Sequence, residues 1–267
     1  HREEYIYKTK KDGLLEKRSV RKRPGTVGIC AAIMNKYNID TVPHIICGGF
    51  NQEETENALI DLSFLGIDNV LVLRGDPIKN EIYFKAEEGG HSYASELLQQ
   101  VVAMNKGIYL DEDLKNSSPT NFCIGVAGYP EKHFESPNIL SDIHFLKKKV
   151  EAGADYIVTQ MFFDNQQYFD FVNLCRENNI TIPIIPGLKP ISTINHLTLL
   201  PQRFNLNIPN SLVESVNKCR NNKHVRRVGV DWAIQQTREL IDFGAPCIHF
   251  YTMGKSNNIQ QIVGEFC

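Results

Sequence analysis

The segment Leu71–Asp76 joins an apolar run to three residues that could contact a ligand. Leu71–Leu73 is typical of a strand buried on both faces, as in a parallel sheet. Arg74 and Asp76 then supply opposite charges, and Gly75 between them allows backbone to approach a ligand closely. Ligands of α/β proteins bind where such strands end, so the triplet predicts a site. An ordinary solvated turn after a strand would also explain it.

Polar residues accompany the other apolar runs in the same way. Tyr, Gln, His and Arg side chains with one Asp suit the recognition of a flat heterocycle with amide-like edges. A packed core needs none of them, so their recurrence predicts one ligand site at the strand ends. The zinc motifs H-E-x-x-H and H-x-x-E-H are absent, and we expect no metal. The residues are Pro43-His44, Gly128-Tyr129-Pro130 with His133, Thr159-Gln160, Pro186-Gly187 and His249-Phe250-Tyr251-Thr252.

Three consecutive lysines, Lys147–Lys149, form a second candidate ligand-binding feature. Successive residues of a helix point about 100° apart, so at most two of the three can serve one site. Those two could bind phosphate groups as point charges. A solvated helix face explains them equally well.

The elements that must position these residues alternate along the chain. Helices are predicted at Thr26–Tyr37, Gln52–Leu65, Tyr93–Met104, Ile139–Val150, Gln166–Asn178 and Val225–Phe243. Asn51 with Glu54 predicts a capping box for the second of these helices, and Gly66 predicts its end. In the last helix, Trp232, Ala233, Leu240 and Ile241 are predicted to face the core. Strands are predicted at Val42–Cys47, Val70–Leu73, Phe122–Ala127, Tyr156–Thr159, Ile182–Pro186 and Cys247–Tyr251.

This alternation predicts a parallel sheet wrapped by helices. Six strand–helix units follow one helix that has no strand before it, Thr26–Tyr37. An open doubly wound sheet would fit six strands, but its nucleotide-binding glycine motifs are absent. We therefore favour an α/β fold of the (β/α)8 TIM-barrel type in which the first strand–helix unit and the second strand are missing from the N-terminus.

Composition leaves a wide range of soluble proteins open. The chain has 267 residues, of which 42% are hydrophobic, and a net charge of −2, which fits one sizeable domain or two small ones. No apolar run approaches the roughly 20 residues of a membrane span, and no signal peptide is evident. The seven cysteines, with Cys47, Cys123 and Cys247 inside strand-like runs, predict buried free thiols in a reducing cytoplasm. The basic first 25 residues suit either a phosphate-binding arm or a solvated loop.

Taken in order and spacing, these blocks resemble the methylenetetrahydrofolate reductase family. The similarity covers nearly the whole chain from about residue 40. The blocks are Pro43-His44, Leu73-Arg74-Gly75-Asp76, Tyr93-Ala94, Ala127-Gly128-Tyr129-Pro130-Glu131 with His133, Lys149 followed by Ala152-Gly153-Ala154, Thr159-Gln160-Met161-Phe162-Phe163-Asp164, Ile185-Pro186-Gly187 and His249-Phe250-Tyr251-Thr252.

The resemblance implies a single FAD-binding (β/α)8 barrel catalytic domain over residues 1–267, without a C-terminal regulatory domain. It implies reduction of 5,10-methylenetetrahydrofolate to 5-methyltetrahydrofolate in a ping-pong cycle, in which NADH or NADPH first reduces FAD. In one-carbon metabolism this reaction supplies methyl groups for methionine synthesis. A cytoplasmic homo-oligomer that binds neither nucleic acid nor membrane is expected.

The resemblance also implies roles for individual residues. Asp76 would tune the reduction potential of the flavin and stabilise the cationic form of the folate. For the folate or nicotinamide side it implies Asp76, Gln160, Tyr251 and, near the folate glutamate, Lys255. For FAD it implies His44, Arg74, Gly75, Asp76, Ser92, Tyr93, Ala94, Tyr129, His133, Asp142, Lys148 and Lys149.

One family feature is missing from the sequence. The general acid of the family is a glutamate in a Phe-Glu-Phe-Phe-Pro-Pro type segment of the first strand, and no such segment occurs here. We expect that strand upstream of His1. Two alternatives follow: a flavin- or pterin-binding barrel that lacks turnover or needs a partner subunit, and another pterin-handling barrel enzyme such as a methyltransferase.

Overall fold

The computed structural model describes residues 5–19, 24–77, 83–254 and 256–266. The chain divides into two compact units, residues 1–126 with 152–154 and residues 127–151 with 155–267. The prediction of a single domain therefore stays a prediction.

The strands are β1 (Tyr5–Thr9), β2 (Leu15–Ser19), β3 (His44–Ile46), β4 (Asn69–Leu73), β5 (Cys123–Gly128), β6 (Tyr156–Met161), β7 (Ile184–Leu188) and β8 (His249–Phe250). The helices are α1 (Thr26–Tyr37), α2 (Gln52–Phe64), α3 (Ala94–Met104), α4 (Ile139–Glu151), α5 (Asn165–Glu177), α6 (His196–Phe204), α7 (Asn210–Asn217), α8 (Asn222–Phe243) and α9 (Asn257–Val263).

Parallel strands form the centre of the first unit. Ile46 of β3 pairs with Leu73 of β4, and Val70 of β4 pairs with Ile124 of β5. Val70 and Val72 are fully buried, as expected for apolar, β-branched residues covered on both faces of a sheet. Because parallel strands end at the same edge, the residues that follow β4 lie at the carboxyl edge of this sheet.

The second unit has the same arrangement. Ile157 of β6 pairs with Ile184 of β7, and Gly187 of β7 pairs with His249 of β8, in each case in parallel. An apolar cluster that contains Phe163 and Leu206 packs beside these strands, together with residues of α6, α7 and α8. The cluster anchors the helices of the second unit to the carboxyl half of its strands.

The α/β class with parallel strands is confirmed. Parallel strand pairing occurs within each unit, between β3, β4 and β5 in the first and between β6, β7 and β8 in the second. The closed eight-stranded barrel stays a prediction. Within the described ranges, no helix is long and apolar enough to cross a membrane.

Local signals predicted most helix ends correctly. The capping box is present: Asn51 Oδ1 accepts from Glu54 N at 2.8 Å, and Glu54 Oε2 accepts from Asn51 N at 2.9 Å. Helix α2 ends just before Gly66, which has the positive φ of +71° expected after a helix. Helix α8 begins earlier than predicted because the Asn221 side chain accepts from His224 N at 3.0 Å and caps it.

Two predictions about elements were wrong. Residues 5–19 were not predicted to contain strands, since a basic arm or a solvated loop was expected there, but they form the antiparallel hairpin β1–β2. Between β7 and β8 we expected one helix, but the structure adds α6 and α7, which are short and therefore give a weak periodic signal.

Two predictions about burial were also wrong. Cys47 is buried as expected, but Cys123 and Cys247 are exposed. Both of these cysteines lie outside the apolar centres of their runs, Cys123 as the first residue of β5 and Cys247 before β8. In α8, Ala233 and Leu240 face the core as predicted, whereas Ile241 is 49% exposed.

Candidate functional site

Seven predicted site residues belong to the first unit, and we call them the first-unit cluster: His44, Arg74, Gly75, Asp76, Ser92, Tyr93 and Ala94. Arg74, Gly75 and Asp76 follow β4 directly, at the carboxyl edge, as predicted. His44 lies at the amino end of β3 and not at the carboxyl end that was predicted. The residue is accessible to solvent, and partial desolvation of its ring lowers the pKa of the imidazole.

Gly75 has a conformation that other residues rarely adopt. Its φ is +88°, and a Cβ added there would lie 3.4 Å from Ile46 Cβ. The contact alone is tolerable, but the left-handed backbone costs an L residue free energy. Gly75 therefore lets the chain turn sharply between the charged residues Arg74 and Asp76.

The side chain of Arg74 is half-buried and lies over an aromatic ring. Its Cζ is 5.5 Å from the centre of the Phe84 ring, which is a cation–π distance. Behind it, burial raises the pKa of Cys47 to about 12, and the Glu96 carboxylate adds to this rise. Cys47 is therefore a neutral thiol, and the charges of this cluster come from Arg74 and Asp76.

Ser92, Tyr93 and Ala94 form the start of α3. The Glu96 carboxylate accepts from Ser92 N at 2.7 Å and from Tyr93 N at 3.3 Å, which caps this helix. The Tyr93 side chain is 59% exposed. A ligand here would meet the Tyr93 ring and the small Ala94 side chain.

The second unit contains the remaining described site residues, which we call the second-unit cluster: Tyr129, His133, Asp142, Lys148, Lys149, Gln160 and Tyr251. Tyr129 and His133 lie on the turn after β5 with ring centroids 4.7 Å apart, edge to face. His133 Nδ1 accepts from Glu135 N at 3.3 Å. The same nitrogen lies 3.8 Å from the Glu135 carboxylate, so Glu135 contacts the ring on its Nδ1 side.

The side chain of Asp142 fixes this turn. It accepts from His133 N at 2.5 Å and from the Ser136 hydroxyl. The expected contact of Asp142 with the ribityl and diphosphate part of FAD stays a prediction, and the structure shows Asp142 bonded to the backbone of His133.

The neighbouring lysines of α4 point to different places. Lys149 Nζ donates to Ala127 O of β5 at 2.9 Å, whereas Lys148 Nζ lies 5.7 Å from the centre of the Phe145 ring and is exposed. Desolvation lowers the pKa of Lys149 to about 8, partly offset by Asp142. The structure thus brings Lys149, but not Lys148, to the end of β5.

Tyr251 follows β8 and is bonded to the neighbouring strands. Its hydroxyl donates to Thr159 O at 2.8 Å, and its backbone N donates to Leu188 O at 2.8 Å. A Cβ on Gly187 would lie 2.4 Å from Thr159 O and 2.7 Å from Tyr251 Cε2, so only glycine fits beneath this ring. Burial raises the pKa of Tyr251, with a smaller contribution from Tyr129, and the phenol stays neutral.

Gln160 lies within β6, near its carboxyl end, and is half-buried. Its Oε1 accepts from Met161 N at 3.0 Å, where a bulge interrupts the pairing of β6 with β7. This bond orients the amide group. Within the part of the chain that the structure describes, no group of three His, Cys, Asp or Glu side chains could hold a metal ion.

Comparison with known proteins identifies the family of this chain. The family model of methylenetetrahydrofolate reductase matches residues 16–266. The chain belongs to the methylenetetrahydrofolate reductase family. The resemblance noted from the sequence motifs is thereby confirmed.

Individual members of the methylenetetrahydrofolate reductase family agree with this match. Methylenetetrahydrofolate reductase 1 of Schizosaccharomyces pombe is 34% identical over 239 residues, which cover 89% of this chain and 37% of that protein. The 5,10-methylenetetrahydrofolate reductase of Buchnera aphidicola (strain Bp) is 34% identical over 232 residues, covering 86% of this chain and 72% of that protein. The chain thus spans little more than a third of the length of its eukaryotic relatives.

One solved structure is similar at a lower level. It is described as an uncharacterized protein from Clostridium thermocellum that binds two copies of 5-methyl-5,6,7,8-tetrahydrofolic acid. It is 16% identical, with a TM-score of 0.48, and the match covers 87% of this chain and 75% of that one. We draw nothing from a likeness of this size.

Two functional candidates on the methylenetetrahydrofolate reductase framework were missed from the sequence. Glu131 accepts hydrogen bonds from Asn207, a contact that sequence separation hides. Lys189, directly after β7, is only 9% exposed, its Nζ lies 3.5 Å from Tyr251 O, and desolvation lowers its pKa. A lysine immediately after the Pro186-Gly187 strand end was the available signal. Lys255, predicted near the folate glutamate, lies outside the described residues.

Proposed function

We propose that this chain forms the flavin- and folate-binding part of a reductase that converts 5,10-methylenetetrahydrofolate to 5-methyltetrahydrofolate. NADH or NADPH is the proposed electron donor, and FAD is the proposed cofactor. The observation that carries the proposal is that several family motif residues lie at or just beyond the carboxyl ends of parallel strands, namely Arg74, Gly75, Asp76, Tyr129, Gln160 and Tyr251.

The described residues fit a flavin dinucleotide. The ammonium group of Lys149 has three N–H donors, and the acceptor described for it is Ala127 O. Burial removes water from this charged group, and a bound phosphate would stabilise its charge. Gly75 leaves no side chain at the end of β4, and Tyr93 presents an exposed ring. Bound FAD would supply hydride transfer from the nicotinamide to the folate.

In this proposal the chain's own residues bind, orient and balance charge. The imidazole rings of His44 and His133 supply hydrogen bonds for the flavin edge. Gln160, oriented through its bond to Met161 N, offers its amide N–H group to the nicotinamide or the pterin. Tyr251 provides a neutral ring for the folate.

Asp76 supplies the negative charge of the first-unit cluster. It is exposed at the end of β4, where a ligand can reach its carboxylate. We infer that this carboxylate stabilises the cationic, ring-opened form of the folate that accepts the hydride. Because the charge develops during the reaction, the interaction would favour the transition state over the bound substrate.

Anaerobic spectroscopy of the purified full chain tests this proposal. The protein reconstituted with FAD should show flavin absorbance that bleaches with NADH or NADPH and returns on addition of 5,10-methylenetetrahydrofolate. A protein that binds no FAD, or whose bound flavin neither nucleotide reduces, would contradict the reductase proposal.

A second candidate is a flavin- or pterin-binding chain that lacks turnover alone. In that case NADH or NADPH would still bleach the flavin, but the folate would bind without restoring its colour. Adding a partner subunit that supplies the proton donor should then restore the second step.

A further inference from the structure

The turn after β5 adopts a conformation that needs external support. Lys132 has a φ of +81°, in the left-handed region that an L residue rarely occupies. Its ammonium group donates to Ser136 O at 2.9 Å and to His133 O at 3.3 Å. The bonds from His133 and Ser136 to Asp142 hold the far side of the same turn. None of these bonds involves Glu131, which precedes Lys132 at the start of the turn.

That support comes from a segment far away in the sequence. Glu131 Oε2 accepts from Asn207 N at 2.8 Å and from Asn207 Nδ2 at 2.5 Å, and we call these two bonds the Glu131–Asn207 clasp. The other carboxylate oxygen, Oε1, is buried and has no hydrogen-bond partner among the described residues. Burial raises the pKa of Glu131, and the nearby Asp164 carboxylate raises it further.

The segment on the other side of the clasp is itself fixed. Leu206 is only 5% exposed and belongs to the apolar cluster of Met161 and Phe163, against which Tyr251 also packs. Asn205, in the left-handed conformation, ends α6 just before it. Asn207 therefore extends from an anchored residue towards Glu131, and the clasp connects the turn of Tyr129 and His133 to the core beneath Tyr251.

Glu131 is half-buried, and its Oε1 atom is buried without a hydrogen-bond partner among the described residues. A buried polar atom without a partner costs folding free energy. Such costs are tolerated where geometry matters for a ligand. We propose that Glu131 is a positioning residue, whose clasp with Asn207 holds the turn of Tyr129 and His133 in the orientation that binds flavin. This inference rests on the proposed function, which makes flavin the ligand of the turn.

Exchanging the donor and the acceptor tests the clasp. Asn207→Asp places a second carboxylate against Glu131, and we expect the dissociation constant of FAD to rise about tenfold. In the double variant Glu131→Gln with Asn207→Asp, the amide introduced at position 131 can donate to the carboxylate introduced at position 207 and accept from the backbone N of that residue. We expect this pair to bind FAD within about threefold of the original chain. The visible circular dichroism of the bound flavin should change and recover in parallel, which a loss of stability alone would not produce.

Two further variants keep the test decisive. Asn178→Ala removes a similar side-chain bond, from Nδ2 to Leu174 O at the end of α5, and should leave FAD binding within about twofold. If Asn207→Asp does not fold, Asn207→Ala, which removes only the Nδ2 donor, should weaken FAD binding about threefold.

The outcomes separate this inference from the proposed function. An original chain that binds no FAD would overturn the proposed function, and the clasp as a flavin device with it. If the original chain binds FAD, normal affinity in the Asn207 variants would overturn the clasp alone. So would a double variant that binds FAD no better than Asn207→Asp.

Discussion

The two clusters differ in what holds their side chains. In the first-unit cluster Asp76 and Tyr93 are exposed, and the sharp turn at Gly75 sets the direction of the charged residues. In the second-unit cluster Lys149 and Tyr251 are bonded to carbonyl groups of neighbouring strands. The turn at Gly75 thus sets the backbone direction in the first-unit cluster, whereas side-chain hydrogen bonds to strand carbonyl groups hold Lys149 and Tyr251 of the second-unit cluster.

This difference predicts two kinds of response to mutation. A change of side chain in the first-unit cluster should alter ligand chemistry and leave the stability of the free protein nearly unchanged. A change in the second-unit cluster should alter ligand binding and stability together, because the same hydrogen bonds serve both. The variants that follow test this division.

Asp76→Asn should have the largest effect. It removes a charge and keeps the shape, so flavin should stay bound while the folate step slows about 100-fold. The nucleotide step should slow much less, since the cation that Asp76 is proposed to stabilise would form only on the folate. Rapid-mixing measurement of both half-reactions checks this, with Asp40→Asn, an exposed aspartate before β3, as the control.

Equal slowing of the two half-reactions of Asp76→Asn would refute its assignment to the folate step. A large loss of thermal stability would show that the Asp76 carboxylate also supports the fold of the first unit.

Lys149 predicts how flavin affinity depends on pH. In the free protein its pKa is lowered to about 8 by desolvation, and a bound phosphate would raise it again. FAD would then bind the protonated lysine preferentially, so its affinity should be constant below pH 8 and fall about tenfold per pH unit just above it. Titration of FAD from pH 7 to 9.5 measures this.

Lys149→Met should weaken FAD binding about tenfold at pH 7 and remove the dependence on pH. Lys148→Met is the matched control on the same helix, since Lys148 lies over the Phe145 ring instead. A pH dependence that survives in Lys149→Met would assign it to another group.

The sequence predicted the parts of both clusters that depend on local signals. A buried apolar run followed by Arg74 and Asp76 predicted a strand end, and Asn51 with Glu54 predicted a helix start, because each pattern acts within a few residues. Family resemblance added the residues on the other strands. All of these signals can be read from the sequence without knowledge of the tertiary contacts.

Contacts between distant segments could not be predicted in this way. The bonds of Glu131 to Asn207 and of Tyr251 to Thr159 join segments far apart in sequence. The residues next to Glu131 and Tyr251 in the sequence do not indicate these contacts. The same holds for the burial of Lys189, which depends on how Tyr251 and its strand pack. These tertiary contacts dominate the second-unit cluster, which explains why its hydrogen bonds became known only from the structure.

Gly75→Ala tests the backbone control of the first-unit cluster. Alanine at a φ of +88° should cost about 1 to 2 kcal/mol of folding free energy. Gly66→Ala is the matched control, because Gly66 has a φ of +71° with no atom within 4 Å of an added Cβ. We expect similar losses of stability in urea denaturation, but weakened FAD binding only for Gly75→Ala. Equal FAD binding in the two variants would show that the turn does not orient Arg74 and Asp76.

Tyr251→Phe should have the smallest effect and tests the second-unit cluster. It removes the hydroxyl that donates to Thr159 O and keeps the ring, so both stability and folate affinity should fall by about 1 kcal/mol. Denaturation and folate titration of the same variant measure the two losses. If folate affinity fell while stability did not, the hydroxyl would contact the ligand rather than β6. Tyr251 would then resemble the residues of the first-unit cluster, whose side chains are available to ligands.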